Sequence, residues 1–313
     1  MTKIEINEVS PRDGFQMERT FIPTDRKIAF IDALSGCGFA RIEATSYTSP
    51  KAIPAMADAE QVMAGIRRAA GVRYTALVPN LRGMERAVAG NPDEINLVMS
   101  VSETHNRANL RMTREQSLAG LTEVLREAER IGLPCNVSLS TVFGCPFDGE
   151  IDPEQVLFLA ESLGDAGAAG ITICDTTGMA FPSQVEQLCE RLQRQIPSMP
   201  FTIHLHNTRG MGLANALAAF NTGIRRFDAA SGGLGGCPYA PGASGNVSTE
   251  ELVHMFAAMR HDTGVDLEAL LAVVRSMSGL VGRPVFSQLA EAGPRLRRYA
   301  PPAWLTDKFP ERT

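Results

Sequence analysis

Eight short apolar segments alternate with amphipathic stretches along this chain, and this alternation restricts the fold more than any other feature. The eight segments are typical of buried β-strands and lie at 4–9, 41–46, 74–79, 94–101, 135–143, 170–176, 201–207 and 225–230. Most of the stretches between them have apolar residues at helical spacing, as at 24–38, 115–132, 152–167, 182–195 and 212–223. Such an order indicates parallel strands joined by crossover helices, so we predict an α/β fold of the (β/α)8 (TIM) barrel type.

The same order predicts the domain boundaries. A doubly wound sheet is the alternative, but the first strand lacks the GxGxxG turn of dinucleotide-binding sheets. Two further helices are predicted at 249–260 and 266–278, so residues 1–280 are expected to form one catalytic barrel. Residues 281–313 would form a C-terminal extension packed on or near it. The helix at 24–38 is predicted to begin with Thr24 as its N-cap.

Charge and composition exclude two classes of partner. The 313 residues are 44% hydrophobic and 21% charged, with a net charge of −5. A nucleic-acid surface requires a basic face, and no apolar run approaches the ~20 residues of a membrane span. We therefore expect neither nucleic acid nor membrane as a partner. The N-terminus has no apolar signal region, so a cytoplasmic protein is expected.

The cysteines indicate reduced thiols and one unusual loop. Six are present, at 37, 135, 145, 174, 189 and 237, and none forms the CxxC pair of a structural zinc site. Most are expected to be small buried hydrophobic residues. Cys237 differs because it lies in the glycine-rich run GGLGGCPYAPGASGN, residues 232–246. Glycines allow positive φ and close backbone approach, so we interpret this run as a lid over the barrel mouth.

Polar residues gather at the C-terminal ends of the strands, where barrels of this type have their active sites. His204 and His206 lie on the seventh strand, and their i, i+2 spacing directs both imidazoles to one side. Asp13 follows the first strand, which only the eighth strand separates from the seventh in a closed barrel. With the oxygen of Asn246, these residues form a nitrogen and oxygen set that favours Mg²⁺ or Mn²⁺ over structural zinc. Two satisfied core histidines are the alternative interpretation.

Four charged residues near this set have two interpretations each. Arg12 forms a structural ion pair or neutralises a developing oxyanion. Glu43 is costly to bury unpaired, so it is expected to accept hydrogen bonds from Arg12 or from a metal-bound water. Asp175 orients a ligand histidine or contacts substrate. Arg209 lies in the phosphate-binding region of such barrels and meets an anionic substrate arm or solvent.

Several motifs together resemble the 3-hydroxy-3-methylglutaryl-CoA lyase family over about residues 3–280. They are SPRDGFQ at 10–16, HLHN at 204–207, and the glycine-rich run followed by TEELV. The PRDG and HxH elements are common to a wider superfamily of metal-dependent barrel lyases and synthases. The glycine-rich run is more specific and resembles the cleaving branch.

The resemblance implies retro-Claisen cleavage of a CoA thioester into acetyl-CoA and a keto acid, such as acetoacetate, in leucine catabolism. It implies a metal set of Asp13, His204, His206 and Asn246 for Mg²⁺ or Mn²⁺. The implied catalytic residues are Arg12, Cys237, Glu43, His204 and Asp175. The substrate contacts would be Gln16, Ser138, Thr176 and Arg209. As partners we expect the CoA-thioester substrate and a homodimer or higher homo-oligomer.

Two departures from the family leave the acyl group open. Asn207-Thr208-Arg209-Gly210 stands where the family usually has aspartate and then Thr-Tyr-Gly, and Ser138 replaces a frequent aromatic contact. The proton donor is unassigned among His204, the surroundings of Asp13, and Cys237. The alternative functions are a condensing synthase or aldolase of the same superfamily and a non-catalytic binding protein.

Overall fold

A computed structural model of the chain describes residues 3–236, 245–302 and 304. Eight parallel strands pair in chain order and close into a barrel, which confirms the predicted (β/α)8 fold and excludes the doubly wound sheet. The strands are β1 (Glu5–Glu8), β2 (Arg41–Ser46), β3 (Arg73–Leu77), β4 (Glu94–Ser100), β5 (Cys135–Ser140), β6 (Gly170–Asp175), β7 (Phe201–Leu205) and β8 (Arg226–Ala229). They lie where the apolar segments predicted them, to within a few residues.

Helices surround the barrel, and four of those within the described residues were not predicted from the sequence. The helices are α1 (Thr24–Ser35), α2 (Ala59–Gly65), α3 (Leu81–Ala89), α4 (Glu103–Leu110), α5 (Arg114–Arg130), α6 (Pro153–Asp165), α7 (Pro182–Gln195), α8 (Gly212–Asn221), α9 (Thr249–Ala258), α10 (Leu267–Val281) and α11 (Gln288–Ala292). The unpredicted helices α2, α3, α4 and α11 have five to nine residues. So few residues give only a weak periodic signal.

The start of α1 differs from the prediction. Pro23 is its N-cap, and Thr24 is its first helical residue. Thr24 Oγ1 instead donates to Asp58 Oδ2 at 2.8 Å. A carboxylate is a stronger acceptor than a neutral group, and Lys27 Nζ also binds Asp58, at 2.6 Å from Oδ1. Asp58 therefore ties α1 to the segment before α2.

The strands are buried because one face lines the barrel interior and the other packs against the helices. Every residue of β2, β5, β6 and β7 is buried. Ile6, Ile42, Val137 and Ile203 belong to the hydrophobic core, whereas alternate positions such as Glu43, Asn136 and Thr202 are polar yet buried. Polar residues at every second position thus lie inside the barrel, where they form the hydrogen-bonded groups described below.

The last three helices, α9, α10 and α11, pack against one another. Helix α10 continues to Val281, and α11 contacts both α9 and α10. The boundary at residue 280 stays a prediction. The five cysteines within the described ranges are buried free thiols, as predicted. Among the helices of the described residues, none is both long and apolar enough to cross a membrane.

Candidate active site

Three predicted metal ligands meet at the C-terminal ends of β1 and β7. Asp13 lies in a π-helical turn, Ser10–Gly14, that follows β1. His204 is on β7, and His206 comes directly after that strand. One ligand atom from each side chain lies within 4.8 Å of the others, and all three residues are buried. This cluster could hold a metal ion.

Asn246 completes the cluster from the far end of the glycine-rich run. Its Nδ2 donates to Asp13 Oδ2 at 2.7 Å and to the Leu234 carbonyl at 2.8 Å. Its backbone forms a β-bridge with His206. The Oδ1 of Asn246 and the Nδ1 of His206 are buried and have no hydrogen-bond partner among the described residues. Buried polar atoms are normally paired, so these two atoms beside Asp13 fit the presence of a cation.

Gly235 makes the approach of Asn246 to Asp13 sterically feasible. Its φ is +112°, a region that L side chains rarely adopt. A Cβ at this position would overlap Asn246 Nδ2 and would lie 3.1 Å from Asp13 Oδ2. At least one glycine of the run therefore serves the geometry of the candidate metal centre.

Arg12 joins this cluster to Glu43. Its Nη1 donates to Asp13 Oδ1 and its Nε donates to Glu43 Oε2, each at 2.6 Å. Burial opposes the charged guanidinium, but Glu43 and Asp13 outweigh it and raise the pKa of Arg12. The predicted contact between Glu43 and Arg12 is present. Arg12 is thus a permanent cation held between two carboxylates.

Glu43 is held in turn by a chain of polar side chains that crosses the barrel interior. Its Oε1 accepts from Asn96 Nδ2 at 3.0 Å. The Oδ1 of Asn96 accepts from Asn136 Nδ2 at 2.9 Å and from Ser138 Oγ at 3.0 Å. Asn136 Nδ2 also donates to Thr172 Oγ1 at 2.8 Å. The chain joins β2, β4, β5 and β6, and it includes Ser138, a predicted substrate contact.

The charges of the cluster suit metal ligation. Burial acts to raise the pKa of Asp13, but Arg12 and the two histidines hold that pKa below its ordinary value. Burial and the neighbouring His204 lower the pKa of His206 to about 4. His206 is therefore a neutral imidazole and Asp13 an ionised carboxylate at neutral pH. These are the protonation states that metal ligands require.

The remaining predicted substrate contacts lie in the loops of the barrel mouth. Gln16 Nε2 donates to Asp13 Oδ1 at 3.2 Å and is half-buried. Thr176 Oγ1 accepts from the Thr141 backbone N–H at 2.9 Å. Arg209 is exposed and donates to the carbonyls of Thr177 and Gly178, at 3.1 and 2.8 Å. Arg209 therefore braces the loop after β6 and is not simply solvated.

Asp175 is at the end of β6 but does not orient a ligand histidine in the part of the chain that the structure describes. Its Oδ1 accepts from the Met179 backbone N–H at 2.8 Å, and its buried Oδ2 has no hydrogen-bond partner among those residues. Burial raises the pKa of Asp175 to about 6. The carboxylate beside His204 is Asp228, whose Oδ2 lies 3.3 Å from His204 Nδ1.

Asp228 and Glu8 were missed by the sequence interpretation. Asp228 could have been noted as an acidic residue inside the short eighth strand. Glu8, in the first strand, accepts from the backbone and hydroxyl of Ser231 at 3.0 and 2.7 Å, and from Thr249 Oγ1 at 2.8 Å. An acid within an apolar strand was the signal for both, as it was for Glu43. Glu8 thereby ties β1 to the segments that flank the glycine-rich run.

Cys237 lies outside the described residues, so its role stays a prediction. Of the remaining predicted catalytic and metal residues, Arg12, Asp13, Asp175, His204, His206 and Asn246 lie at the C-terminal ends of the strands or in the loops there. Glu43 lies in the first half of β2 and contacts Arg12 from that position. Arg12 and Asn246 each contact Asp13 directly.

Comparison with known proteins identifies the family. The HMGL-like family model matches residues 3–277. The hydroxymethylglutaryl-CoA lyase of Bacillus subtilis is 45% identical over 286 residues, which cover 91% of this chain and 96% of the relative. The (R)-citramalyl-CoA lyase of Chloroflexus aurantiacus is 42% identical over 304 residues, covering 94% of this chain and 96% of the relative.

A solved structure agrees with these relatives. The HMG-CoA lyase from Acenitobacter baumannii, in complex with coenzyme A and 3-methylmalate, is 49% identical and superposes with a TM-score of 0.92. The match covers 96% of this chain and 98% of that structure. Fold, site and sequence lead to one conclusion: this chain belongs to the HMGL-like family.

Proposed function

We propose that this chain is a divalent-metal-dependent lyase that cleaves 3-hydroxy-3-methylglutaryl-CoA, or a closely related 3-hydroxyacyl-CoA, into acetyl-CoA and a keto acid. The observation that carries the proposal is the 2.6 Å contact between Arg12 Nη1 and Asp13 Oδ1, within a cluster of three potential ligands. It places a permanent cation next to a candidate metal centre. The similarity to lyases of CoA thioesters supports the same activity.

The donor set supports a particular class of metal. Asp13, His204, His206 and Asn246 would hold the ion, and their oxygen and imidazole donors, without thiolate, favour Mg²⁺ or Mn²⁺. When bound, such an ion acidifies a hydroxyl group of the substrate that coordinates it. The location in the cytoplasm, the homo-oligomer and the place in leucine catabolism stay predictions.

Arg12 would stabilise the charge that the reaction develops. Loss of the C3 hydroxyl proton and cleavage of the C2–C3 bond send an electron pair towards the thioester oxygen. Arg12 uses Nη1 and Nε to hold Asp13 and Glu43, so its Nη2 group is free of those two carboxylates and can donate to that oxygen. One preorganised donor of this kind contributes roughly 2.7–4 kcal/mol to the transition state.

Two proton transfers complete the reaction. A base must remove the hydroxyl proton, and an acid must protonate C2 of the departing acetyl group. Asp175 is a candidate base because its Oδ2 has no partner in the described part of the chain and its pKa is raised by burial to about 6. A group with such a pKa can take up and release a proton near neutral pH. Cys237 is one candidate for the donor, together with His204 and the surroundings of Asp13, because an unperturbed thiol with a pKa of about 8.5 is mostly protonated at pH 7.

Citramalyl-CoA is the second candidate substrate, and one observation favours it. The citramalyl-CoA lyase relative is nearly as similar to this chain as the hydroxymethylglutaryl-CoA lyase relative, at 42% against 45% identity. The two substrates have the same tertiary alcohol and terminal carboxylate, and citramalyl-CoA is shorter by one methylene. A pocket discriminates one methylene by only about 1–3 kcal/mol, so both thioesters are suitable test substrates.

The deciding experiment measures products from both thioesters with Mg²⁺ or Mn²⁺. Hydroxymethylglutaryl-CoA should yield acetyl-CoA and acetoacetate, and citramalyl-CoA should yield acetyl-CoA and pyruvate. A chelator and the His206→Ala variant are the controls, and both should abolish turnover. Condensation of acetyl-CoA with a keto acid and release of free CoA would identify a synthase instead. If neither thioester is cleaved or formed, the proposed activity is wrong.

A further inference from the structure

We propose that Asp228 is a positioning residue for the metal centre: with Asn7 behind it, Asp228 fixes the imidazole of His204 so that Nε2 faces the ion. This inference rests on the metal dependence proposed above and goes beyond it, because neither Asp228 nor Asn7 belongs to the predicted ligand or substrate set. It concerns how one of the two ligand histidines acquires its orientation.

The strand register places the three side chains side by side. His204 of β7 pairs with Asp228 of β8, and Asp228 pairs with Asn7 of β1. Register partners on adjacent strands project to the same face of a sheet. The order Asn7, Asp228, His204 therefore crosses three neighbouring strands in one layer of the barrel. The backbone alone brings these groups together.

The two oxygens of Asp228 have separate partners. Asn7 Nδ2 donates to Oδ1 at 2.8 Å, and His204 Nδ1 lies 3.3 Å from Oδ2. The Asp228 side chain is 11% exposed and that of His204 is 9% exposed, so water competes little for this contact. Because Asn7 restrains the carboxylate from behind, its second oxygen stays directed at the ring. Asn7, Asp228 and His204 thus form a chain of polar contacts that ends at a candidate metal ligand.

The contact with Asp228 leaves one imidazole nitrogen of His204, Nε2, available to the ion. A proton on Nδ1 of His204 would be directed to Asp228, which leaves the lone pair on Nε2. A carboxylate behind a ligand histidine both orients the ring and makes it a better donor. His206 is held differently, by the backbone bridge to Asn246, and its Nδ1 has no hydrogen-bond partner within the described ranges. Loss of Asp228 should therefore disturb one ligand and spare the other.

Asp228 has two alternative roles that the contacts do not favour. It could be a counter-ion of Arg12, but Arg12 already contacts Asp13 and Glu43 at 2.6 Å each. It could be a purely structural acid of the barrel wall. A structural acid would change the stability of the fold without changing the affinity for metal. This difference defines the test.

The test compares metal affinity among graded variants. Binding of Mn²⁺ alone to the purified protein is followed by electron paramagnetic resonance of the free ion. Asp228→Asn retains an acceptor but loses the charge, and it should weaken Mn²⁺ binding about 10-fold. Asp228→Ala loses both and should approach 100-fold, the upper range for removal of such a partner. Asn7→Ala should produce a smaller loss, because Asp228 remains but is free to rotate.

Glu94→Gln is the matched control. Glu94 is also a buried acid on a barrel strand, and its Oε1 lies 3.0 Å from Arg41 Nη1, so the variant removes a comparable charge. It should lower the thermal unfolding temperature and leave the Mn²⁺ affinity within twofold. Equal loss of affinity in Glu94→Gln and Asp228→Asn would overturn the proposal, since the effect would then be a general one of barrel charge.

Nitrogen chemical shifts of the imidazoles give a readout that does not depend on activity. The chain has five histidines, and the signal of His204 is identified by its loss in His204→Gln. In the metal-free parent we expect the proton on Nδ1, and in Asp228→Ala a shift towards the other tautomer. If Asp228→Ala binds Mn²⁺ within twofold of the parent, the positioning role of Asp228 is refuted and the metal proposal stays intact. A parent chain that binds no Mn²⁺ would refute both.

Discussion

At the scale of single residues, different side chains of the candidate site would bind the ion and neutralise the negative charge that the reaction develops. His206 has a pKa lowered by burial to about 4, so it can offer a lone pair at any pH near neutrality. Arg12 carries a fixed positive charge between Asp13 and Glu43. Substitution of His206 should therefore impair metal binding, and substitution of Arg12 should impair turnover.

We expect His206→Ala to abolish tight Mn²⁺ binding and Arg12→Gln to preserve it within about threefold. Arg12→Gln should instead lower kcat by about 10²–10³, the usual effect of losing one preorganised donor to a developing oxyanion. Glutamine is chosen because its amide can still donate to Glu43. Metal titration and steady-state kinetics on both variants make the comparison. Equal loss of metal binding in the two variants would contradict the assigned roles.

At the scale of elements, the segment after β8 brings Asn246 to the metal centre through close backbone packing. Gly235 has a φ of +112°, and a Cβ there would overlap Asn246 Nδ2. Glu8 holds Ser231 at the start of this segment and Thr249 at its end. The path of the chain between β8 and α9 therefore determines one oxygen of the candidate metal set.

Gly235→Ala should weaken Mn²⁺ binding at least 10-fold, because the added methyl group displaces Asn246 from Asp13. Gly167→Ala is the control: its φ is +99°, so the added methyl group meets comparable backbone strain, but among the described residues its Cβ would have no neighbour closer than 4.0 Å. That variant should lose about 1 kcal/mol of stability and keep its Mn²⁺ affinity. Similar Mn²⁺ affinities for the two variants would contradict the steric role assigned to Gly235.

The first turn of α9 contains a buried acid that makes stability depend on pH. Burial raises the pKa of Glu250 from its ordinary value of 4.5 to about 7, although the backbone N–H of Gly232 donates to its Oε2 at 3.1 Å. The folded state therefore binds this proton more tightly than the unfolded state. Its contribution to stability is complete below pH 4.5 and is lost as the pH rises through about 7.

Glu250→Gln should remove this dependence because glutamine does not titrate. The free energy of unfolding of the parent, relative to the variant, should fall by ~3 kcal/mol between about pH 4 and pH 8, since each pKa unit corresponds to about 1.36 kcal/mol. Urea unfolding of both proteins across this range measures the difference. A difference that is constant with pH, or that grows as pH rises, would show that Glu250 is ionised in the fold.

At the scale of the whole molecule, the ion would join distant parts of the chain and so stabilise the entire fold. A ligand that binds only the folded state, at 100 times its Kd, adds about 2.7 kcal/mol of stability. We expect Mn²⁺ at such a concentration to raise the melting temperature of the parent by several degrees. A chelator should reverse the shift, and His206→Ala should show none. An equal shift in that variant would place the stabilising ion elsewhere.

The sequence predicts the barrel well because strand and helix periodicities are local signals. All eight strands follow from short apolar runs, and the paired histidines follow from the i, i+2 rule. Asp228 was not predicted as a partner of His204, because that contact depends on the register between β7 and β8. Thr24 was assigned to a cap for the same kind of reason, since Asp58 attracts it from outside its own helix. Local sequence patterns therefore predict strands and helices, whereas side-chain contacts between them depend on how those elements pair.

The position of the ligands in the chain also sets the time at which the site can exist during synthesis. Asp13 and Asn246 are 233 residues apart, and β8, which carries Asp228, pairs with both β1 and β7. A growing chain that ends before β8 has its first and seventh strands but lacks the strand that pairs with both of them. Metal capture would therefore begin only when the last strand emerges from the ribosome and joins the barrel. Uptake of the ion would be a marker of the final step of folding.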